Sequence, residues 1–197
     1  MYKLYLASQS PRRADILRQA GLSFVTCPPL LSEILNETVS LEVAIQGLAE
    51  QKAREAIEQH NLLKIRGIIV LAADTLVECG GKVMGKPQSR DEAREFLGLL
   101  SGRQHRVLSG FCLYNLDLGQ IVADCDATTV TFKSLSGDVV EKYLNGTDWQ
   151  DKAGAYGIQS EGRHFIEGID GSFSNVMGLP IEKVLSQLKK HGWTIST

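Results

Sequence analysis

The stretch IIVLAADTLV at residues 68–77 is an apolar run that contains one charged residue, Asp74. A run of this kind is typical of a central β-strand that is buried on both faces. A carboxylate inside such a strand is costly to bury unless it is paired, hydrogen-bonded or bound to a metal. Because Leu76 and Val77 follow it, Asp74 is not simply a polar strand end, and a functional role is favoured over a turn cap.

Strand and helix patterns alternate on both sides of this stretch. Residues 3–7 and 22–27 predict strands, and a helix is expected between them with Ser10 as N-cap, Pro11 at its first position and Gly21 at its end. Gly80 and Gly81 predict a turn. Further strands are predicted at 106–114 and 121–132. Further helices are predicted after Ser40, after Ser89, at 137–144 and after Pro180. Ser89 forms the predicted capping box with Glu92. This alternation predicts an α/β fold, with residues 87–89 as the candidate boundary between two lobes.

The composition excludes several classes of protein. The chain has 197 residues, 43% of them hydrophobic, and a net charge of −2, so it is neither disordered nor basic enough to bind a nucleic-acid polymer through its backbone. Its four cysteines form no CxxC pair, which favours buried thiols over a zinc site. No signal-peptide pattern and no stretch of about 20 apolar residues is visible. We therefore expect a soluble cytoplasmic protein without a membrane partner.

The segment SQSPRR at residues 8–13 lies at the predicted strand-to-helix turn. Helix N-termini attract anions, Ser8 and Ser10 add hydroxyl groups, and Arg12 and Arg13 add planar forks that suit phosphate oxygens. The alternative, an N-cap followed by solvated arginines, is about as well supported by the local pattern alone. The segment predicts an anion site that needs support from elsewhere in the chain.

Two further segments could carry chemistry. The tripeptide GKP places Lys86 on a short loop, although a solvated lysine would look the same. The segment DKAGAYGIQ at residues 151–159 contains small residues that suggest close backbone approach, or else a tight turn before a strand. No P-loop, GxSxG elbow or GxGxxG loop occurs, which leaves a Walker ATPase, a serine hydrolase and a dinucleotide-binding protein unsupported.

Taken together, the motifs resemble those of the Maf family, the septum-formation-inhibitor-like proteins. The matching stretches run nearly from end to end of the chain. They are LYLASQSPRR (4–13), Glu33, LAEQKA (48–53), LAADTLV (71–77), GKP (85–87), LSG (100–102), AYGIQ (155–159) and NVMGLP (175–180).

The resemblance implies a single Maf-like domain over residues 1–197 that acts as a nucleoside triphosphate pyrophosphatase. Such an enzyme hydrolyses the α–β phosphate bond with a divalent metal, Mg²⁺ or Mn²⁺. The implied fold is an elongated mixed sheet flanked by helices, with two lobes around a cleft, similar to inosine triphosphate pyrophosphatases. A homodimer is also implied.

The resemblance also implies roles for individual residues. Asp74 would accept a proton from the attacking water and, with Glu33, bind the metal. Phosphates would be bound by Ser8, Ser10, Arg13, Lys52 and Lys86. The subgroup that acts on dTTP and UTP has Arg, Thr and Gln at three specificity positions, which here are Arg12, Thr75 and Gln159. This chain departs from the family pattern at Ser32, where an acid is frequent, and at Gln9, where glycine is frequent.

Two alternatives stay open at this point. One is a regulator of cell division that senses nucleotides or binds a protein without catalysis, although the acid inside an apolar strand would then have no purpose. The other is a pyrophosphatase for a modified or purine nucleotide. Release of pyrophosphate across a panel of nucleoside triphosphates distinguishes the two alternatives from a dTTP/UTP enzyme.

Overall fold

The computed structural model describes residues 1–30, 36 and 38–196. The strands in these residues are β1 (Lys3–Ala7), β2 (Phe24–Thr26), β3 (Ile68–Cys79), β4 (Lys82–Met84), β5 (Gln104–Asn115), β6 (Gln120–Phe132) and β7 (Ile166–Asp170). The helices are α1 (Pro11–Gln19), α2 (Leu41–Gln59), α3 (Arg90–Leu100), α4 (Gly137–Leu144), α5 (Phe173–Met177) and α6 (Ile181–Lys190).

The strands form one mixed sheet in the order β2-β1-β3-β5-β6-β7, with β4 paired to β3. Strand β1 runs parallel to both β2 and β3, and its register places Ala7 opposite Ala72. Strand β4 is antiparallel to β3, and β7 is antiparallel to β6. The prediction of an α/β fold with a mixed sheet flanked by helices is confirmed.

Strand β3 is the central strand that its apolar run predicts. It lies between β1 and β5, and residues 68–73 are fully buried. Asp74 follows in the same strand and is only 7% exposed. The strand continues two residues beyond the predicted end at Val77, because Val77, Glu78 and Cys79 pair with β4 across the turn at Gly80 and Gly81.

The chain divides into two compact units. The first unit comprises Met1–Asp74, Ser109–Asp126 and Gly178–Thr197, and the second comprises Thr75–Leu108 and Ala127–Met177. Residues 87–89 lie inside the second unit.

Small residues bring α2 close to the sheet in the first unit. Ala49, Ala53 and Ala56 of α2 are fully buried in a cluster that also contains Ala7 of β1 and Ala72 of β3. At Gly110 of β5 the helix leaves no room for a side chain, because an added Cβ atom would lie 2.5 Å from the Ile45 carbonyl oxygen. This close packing fixes the position of the helix that carries Lys52.

The core of the second unit contains a cluster of aromatic rings. The ring of Phe132 contacts His105, Tyr156 and Phe165 edge-on, at centroid distances of 4.8, 4.7 and 5.9 Å. The His105 ring shares a 2.7 Å hydrogen bond with the Tyr156 hydroxyl. Burial lowers the pKa of His105 from 6.5 to about 4, so this histidine is neutral in the folded protein.

Helix starts agree well with the sequence patterns. Ser10 and Ser89 are N-caps, as predicted. Ser40 is the N-cap of α2, the helix that was expected to follow it. The capping box at Ser89 is half formed: the Ser89 side chain accepts from Glu92 N, whereas the Glu92 carboxylate accepts from Gln88 N rather than from the N-cap residue.

Strand β7 lies in the glycine-rich stretch of residues 154–174, for which the sequence pattern predicts no strand. Charged residues and Gly168 interrupt its apolar positions, so its pattern is weak, and pairing with β6 stabilises it as a strand.

The cysteine prediction is confirmed: Cys27, Cys79 and Cys112 are buried, Cys125 is half-buried, and all four are free thiols. Among the described helices, none has the length and apolar character needed to span a bilayer.

Candidate functional site

Asp74 lies between two cations in the first unit. Lys52 Nζ, from α2, is 3.1 Å from Asp74 Oδ1, and Arg13 Nη2, from α1, is 3.8 Å from the same oxygen. The three side chains are each only about a tenth exposed. The carboxylate that the sequence places inside an apolar strand is therefore paired, which removes most of the cost of burying it.

The cluster of Arg13, Lys52 and Asp74, here called the ion cluster, has two positive charges and one negative charge. A buried ion pair adds little stability by itself, because desolvation offsets the attraction of the charges. Because Arg13 and Lys52 place two cations beside one carboxylate, the cluster is also suited to an anion. Both features are typical of a binding site and not of a purely structural salt bridge.

Ser8 orients Arg13. Its Oγ accepts hydrogen bonds from Arg13 Nη1 at 3.2 Å and from Ser10 N at 3.1 Å. Arg13 Nε donates to the carbonyl oxygen of Gly178 at 2.8 Å, which ties α1 to the segment before α6. Ser8 thus has a role that the sequence did not reveal, because it holds the turn and the guanidinium in place. Among the described residues, its hydroxyl hydrogen has no acceptor.

The start of α1 has the geometry of an ordinary helix N-terminus with a serine at its N-cap. Ser10 is the N-cap, but its side chain makes no capping hydrogen bond, and Pro11 occupies the first helical turn. The positive end of the helix dipole therefore lies beside a serine hydroxyl that is not used for capping. Arg12 is half-buried and projects about 100° around the helix axis from Arg13, so the two arginines need not share one task.

Three further predicted residues belong to the second unit. Thr75 is half-buried and, because strand side chains alternate, points to the opposite face of β3 from Asp74. Lys86 is exposed on the loop after β4. Gln159 is exposed and lines a groove of about 550 Å³ together with Arg163 and Phe173. The ring of Phe173 is 50% exposed.

A network around Asp148 surrounds the segment that contains Gln159. Asp148 accepts hydrogen bonds from Ser160 Oγ at 2.8 Å, from Tyr143 OH at 3.0 Å and from Gly162 N at 3.3 Å. Lys152 Nζ is 3.1 Å from its other oxygen. The sequence pattern did not identify Asp148 as a site residue. The feature that could have done so is Lys152, an opposite charge four residues later.

The small residues at 153–157 were expected to allow close backbone approach, and they approach their own unit. An added Cβ atom at Gly154 would lie 3.0 Å from the Val77 side chain. An added Cβ atom at Gly157 would overlap Ser160 Oγ and the Lys152 side chain. Close backbone approach is therefore observed at Gly154 and Gly157, and the groups approached belong to the same unit.

A complete metal site is not visible in the part of the chain that the structure describes, which contains no group of three His, Cys, Asp or Glu side chains placed to hold an ion. Glu33, the second predicted metal ligand, lies outside the described residues. Asp74 alone still fits the expected metals, because Mg²⁺ is commonly bound by one or two carboxylates together with the phosphates of a substrate.

Comparisons with known proteins agree with the motifs. A family model described as "Maf-like protein" matches residues 3–191. A dTTP/UTP pyrophosphatase of Bdellovibrio bacteriovorus is 41% identical over 187 residues, which are 95% of this chain and 97% of that protein. A protein of the same name from Symbiobacterium thermophilum is 41% identical over 197 residues, which are 100% of this chain and 98% of that protein.

Among solved structures, the Ham1 protein of Staphylococcus aureus matches 66% of this chain and 71% of its own, with a TM-score of 0.42 and 14% identity. A likeness of that size does not establish a shared fold.

Proposed function

The chain belongs to the Maf family, and from this membership we propose that it is a nucleoside triphosphate pyrophosphatase that acts on dTTP and UTP. Relatives that carry this name match nearly the whole chain at about 40% identity. The observation that carries the proposal is the ion cluster, in which a buried carboxylate lies 3.1 Å from Lys52 and 3.8 Å from Arg13.

The cations and hydroxyls bind the phosphates. A triphosphate carries several negative charges, and Arg13 and Lys52 offer two positive charges beside the N-terminus of α1. Ser10 and the remaining hydrogen of Ser8 can donate to phosphate oxygens. Lys86 is proposed to neutralise further phosphate charge, as the family resemblance implies. Positioning and charge neutralisation supply most of the catalysis in phosphoryl transfer.

Asp74 is the proposed general base. Both neighbouring cations approach Oδ1, so we assign acceptance of the water proton to Oδ2. The water oxygen forms a bond to phosphorus as the α–β anhydride bond breaks, which yields a nucleoside monophosphate, pyrophosphate and one proton. A bound Mg²⁺ or Mn²⁺, held by Asp74, Glu33 and the substrate phosphates, would withdraw electron density from the phosphoryl group.

The base is proposed to be read by Arg12 and Gln159, with Thr75 as the third specificity residue. Uracil and thymine present carbonyl O4 beside the N3–H group, and the Gln159 amide can pair with both. Glutamine alone is not selective, because a flipped amide would suit cytosine. Arg12 can only donate hydrogen bonds. Placed opposite position 4 of the base, it can donate to the O4 carbonyl of uracil or thymine, whereas the amino group of cytosine at that position is itself a donor and cannot pair with it.

The test is the product pattern. With dTTP and Mg²⁺, chromatography should show dTMP and pyrophosphate appearing together, and EDTA should abolish the release. Stepwise appearance of dTDP and orthophosphate would contradict the proposed bond cleavage. Equal rates with dTTP, UTP, CTP and GTP would contradict the proposed substrate class.

A further inference from the structure

The loop at residues 152–162 presents an exposed side chain from a tightly constrained backbone. Ala155 is fully buried at φ +63°, a left-handed conformation that is costly for a residue with a Cβ atom. Gly157 has no room for a Cβ atom beside Lys152 and Ser160. A strained backbone persists only where its surroundings over-determine it, so this loop needs an anchor.

Asp148 contacts the loop on both sides of Gln159. One of its oxygens, Oδ2, accepts from Ser160 Oγ at 2.8 Å and from Gly162 N at 3.3 Å, and both donors follow Gln159 in the chain. Its other oxygen pairs with Lys152 Nζ at 3.1 Å, before Gln159. Lys152 also donates to the Asp148 carbonyl oxygen. One carboxylate therefore holds both ends of the segment.

The Tyr143 hydroxyl, 3.0 Å from the same Oδ2, links the carboxylate to α4 and to the aromatic core. Tyr143 OH also lies 3.2 Å from the carbonyl oxygen of the strained Ala155. Burial alone would raise the pKa of Asp148, but the hydrogen bonds from Ser160 and Lys152 and the Lys152 charge lower it below its usual value. Asp148 is thus ionised at neutral pH and accepts from every donor around it.

We propose that Asp148 is a positioning residue, which anchors the loop at 152–162 and so holds Gln159 in the orientation in which it reads the pyrimidine base. Gln159 is exposed on the groove wall, so the packing of its own side chain does not fix it and the loop backbone must. The inference rests on the proposed function and adds to it a residue that does not touch the substrate.

The test is base discrimination in Asp148→Asn. Asparagine has the same size as aspartate, but its NH2 group, a donor, replaces one of the two acceptor oxygens of the carboxylate. The substitution also removes the negative charge that pairs with Lys152. The ratio of kcat/KM for UTP to that for CTP should fall about three- to tenfold, which is the change expected when one hydrogen bond is misaligned. The kcat for UTP should change less than twofold. In a Gln159→Ala background, Asp148→Asn should leave the ratio unchanged, because the two residues act as one unit.

Two controls separate positioning from general damage. Asp138→Asn removes an exposed carboxylate from the same unit and should leave the ratio as in the parent chain. Ser160→Ala removes a single donor, so it should lower the UTP-to-CTP ratio of kcat/KM less than Asp148→Asn does. This milder variant can replace Asp148→Asn if the asparagine variant folds poorly. The inhibition constant of inorganic pyrophosphate reports on phosphate binding, so it should be unchanged in both Asp148→Asn and Ser160→Ala.

Hydrogen exchange supplies a readout without substrate. Amides at residues 152–162 should exchange about tenfold faster in Asp148→Asn, with no change in β1 or α2. An unchanged UTP-to-CTP ratio in an active variant, additive effects with Gln159→Ala, or unchanged loop exchange would each overturn the inference. Absence of pyrophosphate release from the parent chain would instead overturn the proposed function, and the exchange measurement would still decide the anchor.

Discussion

At the scale of single residues, Asp74 combines a structural task with a proposed catalytic one. Its carboxylate balances Lys52 at 3.1 Å and Arg13 at 3.8 Å, and it is the proposed proton acceptor. Removing one member of a buried ion pair leaves uncompensated charge, which typically costs about 3–5 kcal/mol. A change at Asp74 should therefore affect both stability and turnover.

We predict that Asp74→Asn lowers kcat for dTTP by about 10²- to 10⁴-fold, because asparagine cannot accept the water proton at neutral pH. The variant should also melt at a lower temperature than the parent, and added pyrophosphate should restore part of the loss by binding to Arg13 and Lys52. Steady-state kinetics and thermal melts with and without pyrophosphate measure both effects.

The exposed Asp15, on α1 in the same unit, supplies the control for Asp74: Asp15→Asn should leave kcat and the melting temperature close to those of the parent. Turnover within a few-fold of the parent in Asp74→Asn would show that the carboxylate is only structural.

The proposed reading of the base also belongs to single side chains. We predict that Arg12→Ala raises kcat/KM for CTP relative to UTP by about tenfold, because the donor that opposes the cytosine amino group is removed. Gln159→Ala should lower kcat/KM for UTP while leaving the inhibition constant of pyrophosphate unchanged. Equal losses on UTP and CTP in both variants would mean that these residues bind nucleotides without reading the base.

At the scale of elements, the contact between β5 and α2 sets the position of Lys52. We predict that Gly110→Ala destabilises the protein by about 1–3 kcal/mol, because its Cβ atom would meet the Ile45 carbonyl at 2.5 Å and a backbone atom cannot rotate away. Displacement of α2 should also raise KM for dTTP, since Lys52 moves with the helix.

The matched control lies on the same helix. An added Cβ atom at Gly47 of α2 meets nothing within 4 Å, so Gly47→Ala should stabilise the protein by up to about 1 kcal/mol through helix propensity. Urea unfolding of both variants gives the comparison. A neutral result at Gly110 would show that α2 can shift without cost.

At the scale of the whole molecule, the buried imidazole of His105 makes stability depend on pH. Its pKa is lowered from 6.5 to about 4 by burial, so below pH 6.5 the unfolded chain takes up a proton that the folded protein does not. Stability from this group is fully present above pH 6.5 and is lost as the pH falls towards 4. The shift corresponds to about 3 kcal/mol at most.

We predict that the free energy of unfolding falls about 2–3 kcal/mol more between pH 7 and pH 4.5 in the parent than in His105→Gln. Glutamine offers Tyr156 a polar partner and does not titrate. Urea unfolding at the two pH values measures the difference, in which the other titrating groups cancel. Parallel losses in the two proteins would show that His105 does not cause the acid sensitivity.

The sequence by itself determined the local features of this protein. A continuous apolar run predicts the buried strand around Asp74, serine and proline predict the start of α1, and one pair of glycines predicts the turn after β3. These features depend on residues that are close along the chain, so their physical cause is contained in a short window. The motifs, taken in order, were also enough to identify the family.

Only the tertiary structure decided which residues meet. The pairing of Asp74 with Lys52 depends on the place of β3 beside β1 and on the close approach of α2, and neither is encoded in a local pattern. The same holds for Ser8, which orients Arg13, and for Asp148, which anchors the loop of Gln159. Such contacts join segments far apart in the chain or across an irregular turn, where packing and hydrogen-bond geometry, not periodicity, select the partner.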